Sequence, residues 1–446
     1  MTLLLAALVG LVASAAALDP IEAYGNKFFN KDGSQFFVKG VAYQLEPHDP
    51  LIDSKQCGLD AQLMKELGVN TIRVYHVDAT ASHDGCMKAF ADAGIYLLID
   101  LDTFTTYIEP VHLHWTNSQY EPYTKVMDAF HNYDNVLGFF VGNENIASND
   151  ASPAAPFLKA AARDMKAYRN SKGYRSIPIG YSAADIKELR PMLQDYLTCG
   201  GNSSEIIDFF GLNSYSWCDP SSFEQSTYNQ LQQYAKAFPV PIFFTETGCN
   251  VPGPRIWSDQ DAIFSKPMSD DWSGAIIYEW IQEQNQYGIV EYGPANNAEG
   301  FARSGTPKPK NPDFENLKSK WATCRPEGVS RSAYDAHSVS TRACPTSTPG
   351  GWWQIDGNVR LPTLGEQKNG AFTPSPTASM PASDPTASDG NPAQKPAETN
   401  GGHHSDQPND SDGEHKADGN AASTDRRMAA ISAVLAGTVL LVALTL

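Results

Sequence analysis

Two glutamates in this sequence each follow a short apolar run of the kind that forms a buried strand. Glu144 ends the stretch VLGFFVGNE, and Glu246 lies in the stretch PIFFTETG. An ionised carboxylate beside a buried strand is costly unless it is paired or faces solvent in a cleft, so both are candidates for a functional site. Two carboxyl groups in one cleft can act as the acid and the nucleophile of a retaining glycosidase. The sequence therefore predicts a glycosidase-type site built on these two residues.

The segments that must position the glutamates alternate between β-rich runs and amphipathic stretches about as long as helices. The β-rich runs lie at 36–44, 70–77, 95–102, 136–144, 177–183, 207–215, 241–248 and 274–280. Eight strands with intervening helices predict an α/β fold, a (β/α)8 TIM barrel. An open doubly wound sheet is the alternative, but the runs carry no Gly-x-Gly-x-x-Gly turn. In a barrel, Glu144 ends the fourth strand and Glu246 the seventh, and both face the cleft at the carboxyl ends of the strands.

Composition limits the partners and the chemistry of the chain. The formal net charge of -18 argues against nucleic acid as a partner, because binding phosphates requires a cationic surface. Seven cysteines occur without a Cys-x-x-Cys pair, which argues against zinc or thiol redox chemistry. His112 and His114 are spaced as a His-x-His pair, but with no acidic partner nearby a surface loop is favoured over a metal site. We expect neither a metal nor a cofactor.

Both ends of the sequence carry targeting features. Residues 1–17 form an apolar run that finishes in small residues, which is the layout of a secretory signal. Residues 421–446 have the pattern of a glycolipid (GPI) anchor signal, with Asn420 as the expected attachment site. An ordinary membrane helix is the alternative. We therefore expect secretion and retention at the outer face of the plasma membrane or in the cell wall.

The remainder divides by composition into an ordered body and a tail. We expect a catalytic domain at 18–325, a C-terminal extension at 326–372 and a disordered, O-glycosylated stalk at 373–420, where Pro, Ser, Thr and Ala dominate. N-glycosylation sequons begin at Asn202 and Asn409.

Several ordered motifs carry a resemblance to a known family. The sequence contains KGVAYQ, NTIRVY, DLDT, GNE, NSYSWC, FFTETGCN and YEWIQEQNQYG, in that order. This series resembles the fungal GPI-anchored β-1,3-glucanosyltransferases of glycoside hydrolase family 72. The resemblance covers nearly the whole body, from about residue 36 to residue 324. It implies the same barrel fold and a β-1,3-glucan substrate.

Carried over by position, the resemblance assigns roles to individual residues. It implies that Glu144 is the acid/base and Glu246 the nucleophile, with Tyr215 hydrogen-bonded to the nucleophile. The residues implied to bind sugar are Gln44, Tyr75, Asp100, Asn143, Tyr215 and Tyr278. Two alternatives stay open, since Tyr75 could be a core aromatic and Asp100 a buried partner of Arg73. Further candidates are Asp102, Asn213 and Glu279, with Trp115, Trp217 and Tyr287 as possible stacking platforms for glucose rings.

The resemblance also implies a disulfide pattern and shows two departures. The implied bridges are Cys57–Cys86, Cys199–Cys324 and Cys218–Cys249, which leaves Cys344 unpaired. The sequence lacks the cysteine-rich glucan-binding module of many relatives, so it is most similar to the shorter subfamily. The stretch 104–120 also differs from the family pattern, so donor length preference is expected to differ.

Three functions fit these observations. The first is a transglycosylase that cleaves an internal β-1,3-glucan linkage and passes the new reducing end to the non-reducing end of another glucan chain. The second is an endo-β-1,3-glucanase with the same residues and water as acceptor. The third is an anchored wall protein that only binds glucan. An unused pair of buried carboxylates would cost stability, which favours an enzyme. We expect a monomer whose partners are donor and acceptor glucan chains and, through the anchor, the membrane.

Overall fold

The structure is a computed structural model that describes residues 18–45, 48–293, 302, 304–339, 341–348 and 350–368. The strands are β1 (Glu22–Tyr24), β2 (Lys27–Phe29), β3 (Gln35–Phe36), β4 (Val38–Ala42), β5 (Thr71–Val74), β6 (Tyr96–Asp100), β7 (Leu113–Trp115), β8 (Val136–Asn143), β9 (Ile179–Ala184), β10 (Phe209–Asn213), β11 (Ile242–Thr247), β12 (Trp272–Ile277), β13 (Val290–Glu291), β14 (Lys308–Pro309) and β15 (Glu366–Lys368). The helices are α1 (Ser54–Leu67), α2 (Asp84–Ala93), α3 (Asn117–Phe130), α4 (Ala155–Ser171), α5 (Arg190–Thr198), α6 (Tyr228–Ala235), α7 (Ser258–Ile263) and α8 (Asp313–Thr323).

Eight of the strands close into a parallel barrel. Their order around it is β4, β5, β6, β8, β9, β10, β11 and β12, and β12 pairs with β4 to complete the circle. This confirms the predicted (β/α)8 barrel, with β8 as the fourth strand and β11 as the seventh. The strand register brings residues at the carboxyl ends of neighbouring strands side by side. Asn213 is the Cα partner of Glu246, and Asn143 is the Cα partner of Ser182.

Aromatic side chains fill the barrel and close its amino-terminal end. Phe209 and Phe243, near the starts of β10 and β11, are fully buried, and their ring centroids are 5.7 Å apart. Phe28, from the small antiparallel sheet β1–β2–β3, lies 5.9 Å from the Phe243 ring and plugs this end. Burying such rings contributes roughly 1.5–3 kcal/mol each. With one end filled, the cleft lies at the other.

Capping residues define both ends of α1. Asp53 caps α1, because its side chain accepts hydrogen bonds from the backbone of Lys55 and Gln56. Gly68 ends the same helix at φ 93°, a left-handed conformation that favours glycine.

The described residues between 326 and 368, which we call the C-terminal strap, pack along the outside of the barrel. It begins beside the amino-terminal sheet, where Tyr334 donates a hydrogen bond to Asn26 at 2.6 Å. Further along, Trp353 is fully buried against Tyr196 of α5. The strap then ends in β15, which pairs with β7 in an antiparallel sheet.

The strap changes the predicted disulfide pattern. Cys57–Cys86 and Cys218–Cys249 form as expected, but Cys199 pairs with Cys344, and Cys324 is the free, buried thiol. The expected Cys199–Cys324 bridge is therefore wrong, as is the expectation that Cys344 is unpaired.

The positions of the two cysteines on the barrel explain why Cys199 does not pair with Cys324. Cys199 follows α5, beside Lys159 of α4, whose ammonium donates to its carbonyl at 2.9 Å. Cys324 directly follows α8, and its carbonyl accepts a hydrogen bond from Lys39 in the barrel strand β4, next to β5. These helices follow different barrel strands, β9 and β12, so only the returning strap brings a sulfur to Cys199.

Several sequence predictions fall outside the described residues. These are the signal at 1–17, the stalk at 373–420, the anchor signal at 421–446, and the sites Asn409 and Asn420. Within the described part, no helix is long and apolar enough to cross a membrane.

Candidate active site

Glu246 lies in β11 with hydrogen-bond donors on both carboxylate oxygens. Tyr215 donates to Oε2 at 2.8 Å, and Tyr75 donates to Oε1 at 3.0 Å. The Arg73 guanidinium also reaches Oε1, at 3.3 Å. Burial is the largest effect and holds the pKa of Glu246 above its ordinary value, while Arg73, Tyr215 and Tyr75 each act to lower it. These donors stabilise a carboxylate anion, which is the form that a nucleophile needs.

Glu144 follows β8 with an unusual backbone. Its φ is 52°, in the left-handed region that non-glycine residues rarely occupy and that is enriched at functional sites. Its N–H donates to the Ser182 carbonyl of the next strand at 2.9 Å, which holds this conformation. Burial and the nearby charge of Glu246 raise the pKa of Glu144 to about 7. A carboxyl group with this pKa can serve as general acid near neutral pH.

Asn213 connects the two carboxylates. Its side-chain amide donates to Glu144 Oε1 at 3.0 Å and to Asn143 Oδ1 at 3.1 Å, and it also lowers the pKa of Glu246. Its own Oδ1 accepts from the Ser182 and Thr245 hydroxyls at 2.9 and 2.8 Å, which fixes the amide with its NH2 group toward the glutamates. Because one amide interacts with both carboxylates, they are close neighbours.

Arg73 forms the floor of the site, whereas the sequence indicates it only as a partner for Asp100. Its guanidinium bonds both oxygens of Asp100, at 3.2 and 2.9 Å, and donates to Asn143 Oδ1 at 2.9 Å. Asp100 is 2% exposed, so the structure places it as the buried partner of Arg73. A charged residue inside the apolar run NTIRVY was the signal that could have identified this floor.

Two buried aspartates near Arg73, Asp100 and Asp102, have raised pKa values. Burial raises the pKa of Asp100 to about 6, against the opposing effect of Arg73. Burial and the charge of Asp100 raise the pKa of Asp102 to about 8.

Tyrosine rings line one wall of the cleft. Tyr215, Tyr278 and Tyr287 pack edge to face, with centroids 5.4 Å (Tyr215 to Tyr287) and 5.5 Å (Tyr278 to Tyr287) apart, and Tyr75 lies 6.5 Å from Tyr278. Such rings offer an apolar surface together with a hydroxyl that can bond a sugar. Because Tyr75 also donates to Glu246, it is not only a core aromatic.

Gln44 and Glu279 support this wall. The Gln44 amide lies 2.7 Å from both the Tyr278 hydroxyl and Glu279 Oε2, and Asn285 donates to the other oxygen of Glu279 at 2.7 Å. Burial raises the pKa of Glu279 well above its usual range.

Two other sequence candidates are buried in the hydrophobic core. Trp115 is fully buried and donates to Asp164, and Trp217 packs on Tyr228, with a ring distance of 5.0 Å. Both rings therefore belong to the packed body and not to a sugar platform.

The structure also shows the surroundings of the predicted N-glycosylation site Asn202 and of His112. Asn202 is exposed, as a glycosylated residue must be. His112 does have an acidic neighbour, contrary to expectation, since its Nδ1 lies 3.1 Å from Glu109. Both are exposed, and among the described residues no group of three or more potential ligands could hold a metal ion.

The comparisons with known proteins identify the family. A profile of the glucanosyltransferases of glycoside hydrolase family 72 matches residues 11–325. The chain belongs to this family. It is 43% identical over 350 residues to Protein EPD1 of Candida maltosa, covering 76% of this chain and 61% of that protein. It is 38% identical over 379 residues to the 1,3-beta-glucanosyltransferase GAS5 of Saccharomyces cerevisiae, covering 81% of this chain and 73% of the relative.

Solved structures of the family agree with the fold. A Saccharomyces cerevisiae Gas2p mutant in complex with laminaritetraose and laminaripentaose is 37% identical, with a TM-score of 0.68, over 76% of this chain and 74% of the other. This chain spans about 61–62% of the length of the first curated relatives that it matches. The profile ends at 325, whereas the packed body described above continues through the strap.

Proposed function

We propose that this protein is a β-1,3-glucanosyltransferase that elongates cell-wall glucan by a retaining double displacement. The observation that carries the proposal is the contrast between the two glutamates. Glu246 is held by three donors suited to an anion, while Glu144 has a pKa of about 7 and can hold a proton. Retaining enzymes keep their two carboxyl groups about 5–5.5 Å apart, and the shared Asn213 amide fits so close a pair.

In the first step, Glu144 gives its proton to the oxygen of an internal β-1,3 linkage while Glu246 attacks the anomeric carbon. The glycosidic bond breaks, the reducing-end fragment leaves as an alcohol, and the remaining glucan is bound covalently to Glu246. Asn143 lies beside Glu144, where its amide would meet the 2-hydroxyl of the reacting sugar. Tyr75 and Tyr215 hold the attacking carboxylate in place.

In the second step, Glu144 accepts the proton of the 3-hydroxyl at the non-reducing end of another glucan. That oxygen displaces Glu246 and makes a new β-1,3 bond, so the chain grows. Gln44, Tyr278 and the neighbouring rings form the wall against which the donor sugars would lie. Hydrolysis by water is the competing outcome, and the apolar tyrosine wall favours sugar over water.

The finer assignments belong to the same proposal. The relatives named 1,3-beta-glucanosyltransferase and the laminari-oligosaccharide complexes of Gas2p support glucan as the substrate. Three disulfides fit a secreted protein. We propose retention by the glycolipid anchor at Asn420, N-glycosylation at Asn202 and Asn409, and action as a monomer on the outer face of the plasma membrane or in the cell wall.

The test is to incubate the secreted protein with reduced laminari-oligosaccharides and to measure product sizes. Products longer than the substrate support transfer, and exclusively shorter products would replace the proposal with hydrolysis. Glu144→Gln and Glu246→Gln should each abolish both activities, whereas Glu121→Gln, on the exposed face of α3, should not.

The two roles can be separated with azide and an activated glucoside. In Glu144→Ala, azide should attack the glycosyl-enzyme and give a β-azide. In Glu246→Ala, it should take the place of the missing nucleophile and give an α-azide. The reverse stereochemistry would exchange the assigned roles.

A further inference from the structure

Arg255 is a buried cationic side chain that the proposed mechanism does not use. It lies in the loop that follows β11, the strand that carries Glu246, and it is 2% exposed. Burying a guanidinium is costly unless its N–H groups find acceptors and its charge finds a partner. The groups that Arg255 contacts therefore show what this residue holds in place.

The guanidinium reaches the backbone behind the tyrosine wall. Nη1 donates to the Tyr278 carbonyl at 3.3 Å, and Nη2 donates to the Tyr287 carbonyl at 2.8 Å. We call residues 278–288 the wall segment, because it carries both of these rings. The two carbonyls lie near opposite ends of the segment, and one guanidinium joins them. Arginine is suited to this task because its N–H groups form a rigid planar fork that can bind two acceptors at once.

Arg255 is itself fixed from the other side by α8. Nε donates to Asp313 Oδ2 at 2.7 Å, and the Asn316 amide donates to the Arg255 carbonyl at 2.8 Å. The guanidinium also lies over the ring of Trp257, 4.4 Å from its centroid, and this ring is 1% exposed. The wall segment is therefore attached through Arg255 to a part of the body that is firmly packed.

The two rings of the wall segment also touch the donor to the nucleophile. The centroid of Tyr215 lies 5.4 Å from that of Tyr287 and 6.3 Å from that of Tyr278. A shift of the wall segment would move the surface against which donor sugars lie, and it would loosen the packing around Tyr215. Holding the two carbonyls prevents such a shift.

We propose that Arg255 is a positioning residue for glucan binding, which holds the Tyr278 and Tyr287 rings against the donor sugars by bonding the carbonyls of both residues. The inference rests on the proposed function, because it assumes that glucan lies against this wall. At 2% exposure Arg255 does not reach the sugar itself. A wall that binds the ground state and the transition state equally contributes to KM and not to kcat. Loss of Arg255 should therefore appear mainly in KM.

The experiment uses the full chain and measures kcat and KM for laminari-oligosaccharides below the melting temperature of every variant. Arg255→Lys keeps a cation beside Asp313 but has no fork to join the two carbonyls. We expect KM to rise roughly fivefold to tenfold, on the order of the loss of one hydrogen bond, with kcat within about twofold of the parent. Arg255→Ala should raise KM further. Guanidinium chloride at a non-denaturing concentration should reverse most of that rise, whereas sodium chloride at equal ionic strength should not.

Arg169 of α4 is the matched control. It is 7% exposed, and its Nη1 donates to the Ile177 carbonyl at 2.6 Å and to Asp208 at 3.4 Å, so it also joins a carbonyl and a carboxylate. These partners precede β9 and β10, at the amino-terminal end of the barrel. Arg169→Lys and Arg169→Ala should lower thermal stability as the Arg255 variants do, but leave KM at the parent value. A residue that serves folding alone would behave alike at both positions.

Each outcome bears on one of the two proposals. Parent KM in Arg255→Lys, an equal rise of KM in Arg169→Lys, or a rise in Arg255→Ala that guanidinium does not reverse would overturn the positioning role. If Arg255→Ala does not fold, Asp313→Asn takes its place, because an amide nitrogen cannot accept from Nε. KM should then rise about twofold to threefold, and a parent KM would again overturn the role. A parent chain without activity on laminari-oligosaccharides would instead overturn the proposed function.

Discussion

Tyr215 donates its hydroxyl hydrogen to Oε2 of Glu246 at 2.8 Å, on the carboxylate oxygen opposite the one that Tyr75 contacts. The two oxygens of the proposed nucleophile therefore have separate tyrosine donors, from the segments that directly follow β10 and β5. Such a division fixes the rotation of the carboxylate, so that the attacking oxygen is presented in one orientation. In the proposed mechanism, Tyr215 and Tyr75 are therefore positioning residues in addition to the sugar-binding role expected from the sequence.

Removing one of these donors should slow the reaction. We expect Tyr215→Phe to lower kcat on laminari-oligosaccharides about 100-fold, because a donor to a reacting charge contributes roughly that much. Loss of the donor also raises the pKa of Glu246, so the acidic limb of the pH–rate profile should move to higher pH. Tyr334→Phe, which removes the hydroxyl that bonds Asn26 at the opposite end of the barrel, is the control. A Tyr215→Phe enzyme with the parent profile would contradict the positioning role.

The raised pKa of Glu144 should depend on Glu246. Glu144 must carry a proton for the first step, and its pKa is about 7, so activity should fall as the pH rises above that value. The charge of Glu246 is one cause of the increase, and Glu246→Gln should therefore lower the pKa of Glu144. Infrared titration of the protonated carboxyl band in Glu246→Gln and in the parent measures this directly. An unchanged or higher pKa would show that burial alone accounts for it.

The Arg73–Asp100 pair should contribute strongly to stability. Asp100→Asn leaves a fully buried guanidinium without its bidentate partner, and we expect a loss of about 3–5 kcal/mol in the free energy of unfolding. Asp92→Asn removes an exposed partner of Lys88 in α2 and should cost under about 1 kcal/mol. Urea unfolding at pH 7 compares the two. Parent stability with a raised KM would show that Asp100 contacts sugar, as the family pattern implied.

The strap bridge should be a major stabiliser of the described body. Cys344→Ser opens the Cys199–Cys344 loop and should cost about 2–5 kcal/mol. Cys324→Ser alters a thiol that is not bridged, and peptide mapping without reductant should still recover all three disulfides. A Cys199–Cys324 peptide in the native protein would restore the pairing expected from the sequence.

The barrel and the glutamate pair could be predicted because both depend on local signals. Strand-forming runs end at Glu144 and Glu246, and the geometry of any such barrel gathers strand ends at one face. The role of Asp100 and the partner of Cys199 depend on contacts between distant segments. Arg73 meets Asp100 only once β5 and β6 pair, and Cys344 meets Cys199 only after the strap returns along α5. The stretch 104–120 likewise departs from the family pattern, but its sequence does not indicate which of its side chains are exposed. The 48% exposure of Phe104 is seen only in the folded chain.

The Cys199–Cys344 bridge also makes a covalent ring from the stretch between its two ends. The two cysteines are 145 residues apart in the sequence, and the ring contains both Glu246 and the Cys218–Cys249 bridge, while Glu144 lies outside it. A protease that cuts once within the ring leaves both glutamates on one molecule, which runs as intact protein on a gel without reductant. A cut between Glu144 and Cys199 separates the chain into two pieces that only non-covalent contacts hold together.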